Sequence, residues 1–479
     1  LGPAGVAREE PWSRPKGLLE ELYYRGIIYR AYATVADHYG EVYFIPQELL
    51  APLQDLGSEA AELNIRRVPT PIRIEHDGSA LVEDLLAFLV RIRQSRISAS
   101  PRQRTLRRWP TLDKADLGPR LLGGDHPERL ALLRRLLWRL GLLQDQEGIL
   151  RPSPRARTWL RLPDRQRAQS VYLAWRDDPH WDELRQLPSL QFRDPNWQTN
   201  PVVARSGLLS VLARCPAGPW FSLASFIEAL KHHRPDFLRP NGDYDSAYIS
   251  DARTGECLSG FACWDKVEGA LASHIITSSL RWLGVVDLGC GGEADETTAF
   301  RIAEQRWPLL ATKLELPEAT EGSASAVLAT VGDDFAISIP VEDTMYERYQ
   351  LERFAEWQSQ DVTATYQITA DSVWRGHNAG IKTVQIANFL KRITQNRAAP
   401  AVLRSIQAWG GRFGRATLRK TLLLRTVDEP TMQQIRSHLK APDLLGEALS
   451  PTACLIDEEN ADELVEQLKD LGIWPLVGD

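Results

Sequence analysis

The 479-residue chain is 43% hydrophobic and 25% charged with a net charge of −6, the balance of a soluble globular protein long enough for three or four domains. No apolar run approaches the roughly 20 residues that cross a bilayer, and the opening LGPAGVAREEPW lacks the charged-then-apolar layout of a signal peptide, so a cytoplasmic location is expected. Five irregularly spaced cysteines fit a reducing compartment without a disulfide framework.

The first module, residues 1–70, reads as a partial winged helix. The helix GLLEELYYRG reaches LYYRGII (22–28), in which a last-turn Leu precedes a Gly suited to a left-handed conformation, followed by two aliphatics. GEVYFIP (40–46) supplies a returning strand, and a short helix starts at Gln47. The sequence opens without an initiator Met and leaves no room for the opening helices of this module, so the module is expected to be partial or supplemented by further sequence. Proline punctuation at VPTP (68–71) ends the module.

A second winged helix is expected over 75–165. LVEDLLAFLVRIR (81–93) places Leu81, Leu85, Phe88, Leu89 and Ile92 on one face, which predicts an amphipathic helix. Thr111 to Leu122 is the expected second helix and turn. PERLALLRRLLWRL (127–140) stands in the recognition-helix position, with Leu130, Leu133, Leu137 and Leu140 as the core stripe. It ends in LWRLGLL (137–143), the same Leu-x3-Gly signature, and EGILRPSPRARTWL follows as its wing. Between 91 and 167 there are nineteen basic residues against seven acidic, leaving −18 to the rest of the chain. Arg134, Arg135 and Arg139 on the helix, with Arg151, Arg155 and Arg157 on the wing, are therefore the expected nucleic-acid-binding residues, because phosphate contact needs converging cations.

A helical connector is expected over 166–199, then a third winged helix over 200–312 with an inserted hairpin or ordered loop at 234–263. Its helices are VVARSGLLSVLARC, SLASFIEALKHH and 264–283, the last ending in LRWLGVV (280–286). Glu293, Asp295 and Glu296 on its wing repel phosphates, so this module is expected to meet protein. From 320 to 479 the pattern becomes α+β: strands at 326–331, 336–341, TATYQIT, 417–427 and 452–457 alternate with helices ERYQLERFAEWQ, TVQIANFLKRIT, APAVLRSIQAWGG, EPTMQQIRSHL and ADELVEQLKDLG.

Other constellations carry weaker chemistry. Arg412, Arg415, Arg419 and Lys420 form a second, weaker cationic patch around GGRFGR (410–415); its GxxG resembles a backbone clamp, but a helix end running into a strand is the favoured reading. Cys257, Cys263, His232 and His233 make a zinc alternative without a CxxC. Asp243, Asp245 and Asp251 lack calcium-loop spacing and read as turn caps. His274 is expected to pack or face solvent, and Trp138, Trp282, Trp307 and Trp409, beside aliphatics, to pack in cores. No metal or cofactor is expected.

DFLRPNGDYDSAYI, WDKVEGAL and LGVVDLG resemble bacterial helicase-associated proteins related to the non-motor part of XPB-type helicases. LERFAEWQS, TYQITADSVWRGHNAG, IANFLKRIT and SIQAWGGRFG are similar to the domain ahead of the motor in those helicases, and the resemblance runs from about residue 80 onward. It implies genome maintenance or transcription. The phosphate-cradling GxxxxGK[ST] loop of a helicase motor is nowhere in the sequence. The expectation is a multi-domain, mainly α chain with small β-wings: tandem winged helices, then an α+β domain. Its expected role is a non-enzymatic accessory that binds DNA, as duplex or junction, beside a helicase or transcription partner and away from membranes. The alternative is a protein–protein scaffold of winged helices without DNA contact.

Overall fold

The computed structural model describes residues 17–35, 38–49, 63–95, 97, 120–193, 197, 199–239, 242–245, 249–291, 296–310, 329–416, 421–439 and 444–476. Thr111 to Pro119, Glu293, Asp295, Arg419 and Lys420 lie outside them. The chain divides into two compact units, the first comprising 1–327, 339–352 and 359–364, the second 328–338, 353–358 and 365–479.

The first unit repeats one local device three times. Helix α1 (Leu18–Tyr24) turns at Gly26 into strands β1 (Tyr29–Val35) and β2 (His38–Phe44), paired from Tyr29 opposite Phe44 to Val35 opposite His38. Strand β3 (Arg73–Glu75) and helix α2 (Ala80–Gln94) follow. Helix α3 (Pro127–Arg139) turns at Gly141 into β4 (Leu143–Gln146) and β5 (Ile149–Pro152), joined by Glu147 and Gly148, both with positive φ as a two-residue hairpin requires.

At each junction the glycine has φ between +67° and +71°. The next amide donates five residues back, Ile27 to the Leu22 carbonyl and Leu142 to the Leu137 carbonyl. This is a Schellman cap, which wants an apolar contact between the donor and the accepting residue. Leu137 and Leu142 are both fully buried, which is the physical reason for the Leu-x3-Gly-aliphatic signature.

Helices α4 (Pro154–Leu160) and α5 (Asp164–Arg176) come next, then β6 (Leu190–Phe192), α6 (Pro201–Leu212), β7 (Phe221–Ser222) and α7 (Leu223–His233). Within 234–263, strand β8 (Ile249–Asp251) pairs with β6 and bridges back through Ser250 and Cys257, so the described part of the insertion lies as a hairpin on a strand of the connector. Helix α8 (264–282) contains two π-helical stretches and ends at Gly284, where the Val285 amide repeats the cap by donating to Leu280. Strands β9 (Val286–Gly291) and β10 (Glu296–Ile302) then join a four-stranded sheet in the order β3-β9-β10-β7. The third hairpin is thus not a free wing: β3 covers one edge, and Val68 and Arg66 bond to the Trp220 carbonyl and Ser225 Oγ of the same module.

Three expectations need correction here. Helix α2 buries its expected face, Leu81, Leu85, Phe88, Leu89 and Ile92, but its opposite side is not in solvent: Leu81 to Val90 are all buried, because its polar positions are neutralised inside. Arg348 on α9 (Met345–Leu351) donates to Glu83 at 2.6 and 2.8 Å, and buried Arg129 pairs with Asp84. Of the stripe expected on α3, Leu133, Leu137 and Leu140 are buried but Leu130 is only half-buried, and Leu132 and Leu136 complete the core instead. The stretch PRARTWL is helix α4, not wing: Ser153 Oγ accepts the Ala156 amide and Pro154 occupies the first turn, where its missing donor costs nothing.

Further along the chain β11 (Thr330–Val331) pairs with β12 (Ala336–Pro340) around Gly332 to Phe335, in a sheet ordered β11-β12-β14-β13. Here β13 (Glu356–Gln360) and β14 (Thr363–Gln367) are strands, so the expected single helix ERYQLERFAEWQ instead ends at Leu351 and its last residues begin a strand. Helix α10 (Ala370–Asn378), held by a Thr369–Ser372 capping box, was not read from the pattern. Helices α11 (Thr383–Ile393) and α12 (Pro400–Gly410) follow. Strand β15 (Thr421–Arg425), helix α13 (Glu429–His438), strands β16 (Ala448–Ser450) and β17 (Ala453–Asp457), and helix α14 (Ala461–Asp470) close the second unit. They enclose a small core of Met432, Ile435, Cys454, Ile456, Leu464 and Leu468.

Candidate nucleic-acid interface

The six arginines expected in the second module are not one free patch. Arg135 makes a two-pronged bond to buried Asp178 at 2.5 and 2.6 Å; burial pushes that carboxyl up, but the Arg135 bond, the His180 amide and the charges of Arg135 and Arg139 together hold Asp178 below its ordinary range. Arg151 donates to the Ser95 carbonyl at 2.6 Å and the Ile92 carbonyl at 3.3 Å, capping the end of α2. Arg134 is half-buried, and burial lowers its guanidinium. Arg139 is exposed and donates to the Asp177 carbonyl at 3.1 Å. Arg155 and Arg157 are exposed on α4, with Arg155 Cδ lying 3.5 Å from where a side chain on Gly141 would begin. The structure therefore brings Arg139 and Arg155 to the Gly141 junction, adds Arg157 on the same short helix, and turns Arg135 and Arg151 inward.

The second unit carries a further cationic region that is nearly free of acids. Between 370 and 416 there are eight cations, Arg375, Lys382, Lys391, Arg392, Arg397, Arg404, Arg412 and Arg415, against the single acid Asp371; all eight cations are exposed. The turn 411–416 after α12 sits against the α10–α11 junction, with Phe413 stacked on His377 at 4.7 Å between centroids and 24° between planes. The His377 Nε2 lies 3.1 Å from Thr383 Oγ1. Gly410 is required there, since a Cβ would come within 2.0 Å of that hydroxyl. Phe413 remains 42% exposed and Trp374, one helical turn from His377, 56% exposed. Arg375 is paired with Glu356. Arg412 and Arg415 of the expected second patch are exposed in this turn. Trp374, His377, Lys382 and Phe413 were missed, although a charge count over 370–416 would have pointed to the segment.

The remaining candidates are structural. Asp251 Oδ1 accepts the amides of Arg253 and Thr254, and Asp243 Oδ1 that of Asp245, as turn caps do. His274 is mostly buried and bonds Glu128 at 2.6 Å. His232 and His233 pack edge to face on each other, and among the described residues no three His, Cys, Asp or Glu side chains cluster as metal ligands. Cys215 is buried, its thiol pushed up to about 12 by burial. Trp282 is buried, Trp138 and Trp409 half-buried, and Trp409 packs on Phe335 at 5.0 Å. No helix among the described residues is long and apolar enough to cross a membrane.

Residues 330–450, which begin with β11 and contain the whole 370–416 segment, match the family model described as helicase conserved C-terminal domain. The chain is similar to the DNA 3'-5' helicase XPB of Kineococcus radiotolerans, 28% identical over 115 residues. That match covers 23% of this chain and 20% of the relative, so the chain spans about a fifth of the length of the curated relative it matches. The C-terminal part of the chain is helicase-related.

Proposed function

We propose that this chain is a nucleic-acid-binding, helicase-associated protein without nucleotide turnover of its own, built of tandem winged helices and a C-terminal α+β domain. The observation that carries the reading is that its helicase-related segment concentrates eight exposed cations against one acid over 370–416. Such a surface holds a polyanion by displacing its counterions. Three helix–glycine–hairpin devices support the winged-helix part, in which a helix and the adjacent hairpin meet the backbone together. Absence of a GxxxxGK[ST] stretch from the sequence supports an accessory role beside a helicase or transcription partner.

The scaffold alternative draws on the inward bonds of Arg135 and Arg151, which remove two cations from the second module's surface. One experiment separates the two readings. The purified chain is titrated into a fluorescently labelled forked duplex and ATP hydrolysis is followed in the same mixture. Binding without turnover is expected. Absence of binding even at low salt favours the scaffold, and DNA-stimulated hydrolysis that a point substitution in this chain abolishes contradicts the accessory role.

A further inference from the structure

We propose that Trp374 and the stacked His377–Phe413 pair form a platform for the bases of an unpaired nucleic-acid strand, with Lys382, Arg412 and Arg415 holding its phosphates. The proposal rests on the nucleic-acid reading above and names the substrate class of its second-unit site.

The rings set the preference. In a duplex the base faces are covered by their neighbours, so an exposed protein ring has no face to meet; in an unpaired strand every base offers one. Trp374 is 56% and Phe413 42% exposed. Phe413 is also held in place by its parallel contact with His377, itself fixed by Thr383. A ring already ordered loses little freedom when a base lands on it. The cations sit at the same place in the chain: Lys382 precedes Thr383, Arg412 precedes Phe413, and Arg415 ends the same turn. Arg375 is left out because Glu356 neutralises it, and Asp371, at the start of α10, is the one acid of the segment.

The test is fluorescence anisotropy with the full chain and three labelled probes: oligo(dT), oligo(rU) and a blunt duplex of equal length. Trp374→Ala and Phe413→Ala are each expected to weaken strand binding about tenfold, the scale of one lost base stack, while duplex affinity stays within about twofold. Trp374→Phe and Phe413→Tyr should restore strand binding, which a merely destabilised fold would not do. Arg412→Ala with Arg415→Ala should weaken the strand and flatten its salt dependence. The two oligonucleotides distinguish DNA from RNA as the strand. Strand binding indifferent to both alanine variants, or unrestored by the aromatic swaps, overturns the platform. Duplex binding without strand binding overturns the platform alone, and binding of neither overturns the nucleic-acid reading with it. Equal, aromatic-dependent binding of poly-L-glutamate would reassign the surface to acidic peptides.

Discussion

At the scale of single residues, the first unit is organised by buried charge. Glu83 and Arg348, 265 positions apart, meet with two hydrogen bonds, and Gln360 adds a third to the carboxylate. Removing one partner leaves a charge stranded in the interior, so Arg348→Ala is expected to cost about 3–5 kcal/mol, most of it recovered when Glu83→Leu is combined with Arg348→Met. Burial pushes the Glu83 carboxyl up, but the bonds from Arg348 and Gln360 outweigh it and hold it below its ordinary value. A depressed carboxylate adds stability above the unfolded pKa, and this is lost as pH falls through the folded one. Thermal melts should therefore be level down to about pH 4 and fall below it. Without Arg348, Glu83 takes a proton more readily, so the deficit of the alanine variant should shrink on acidification. An equal deficit at neutral and acid pH would contradict the assignment. The pair was illegible in the sequence because a polar helix position reads as solvent-facing until its remote partner is known.

At the scale of elements, what was legible were the helix ends. A cap is local: the Leu, the Gly and the following aliphatic lie within seven residues, so Gly26, Gly141 and Gly284 could be read as junctions and have φ near +70°. Their surroundings were not legible, and they predict different costs. Gly141→Ala meets only the flexible Arg155 stem and should cost about 1–2 kcal/mol for the left-handed conformation. Gly284→Ala would place its Cβ 2.0 Å from the Gly78 carbonyl oxygen, a backbone atom that cannot swing aside, and should cost clearly more. Denaturant melts of the two variants check this, and equal losses would contradict the packing. Elements were lost where one signal masked another. Helix α4 has its Ser153 cap and first-turn Pro154 in plain sight, but seven residues following a hairpin read as its extension. Strand β13 was absorbed into a helix because charged residues run on past the true end at Leu351.

At the scale of the whole molecule, charge was only half legible. The surplus over 91–167 stands out in the sequence, yet part of it is bonded inward, to Asp178 and to the end of α2. The surplus over 370–416 is spread across three helices and a turn, so no short run reveals it, and only folding puts all eight cations on the surface. A chain with a net charge of −6 would present little to a polyanion if its charge were evenly spread; segregation lets local cations act despite the total. Salt dependence of nucleic-acid affinity therefore tests the central claim most directly. With a labelled forked duplex carrying unpaired arms titrated between about 50 and 300 mM salt, the logarithm of the association constant should fall linearly with that of salt, by roughly 0.9 per phosphate contact and several units in total. An affinity indifferent to salt, or no binding at the lowest salt, would contradict the account.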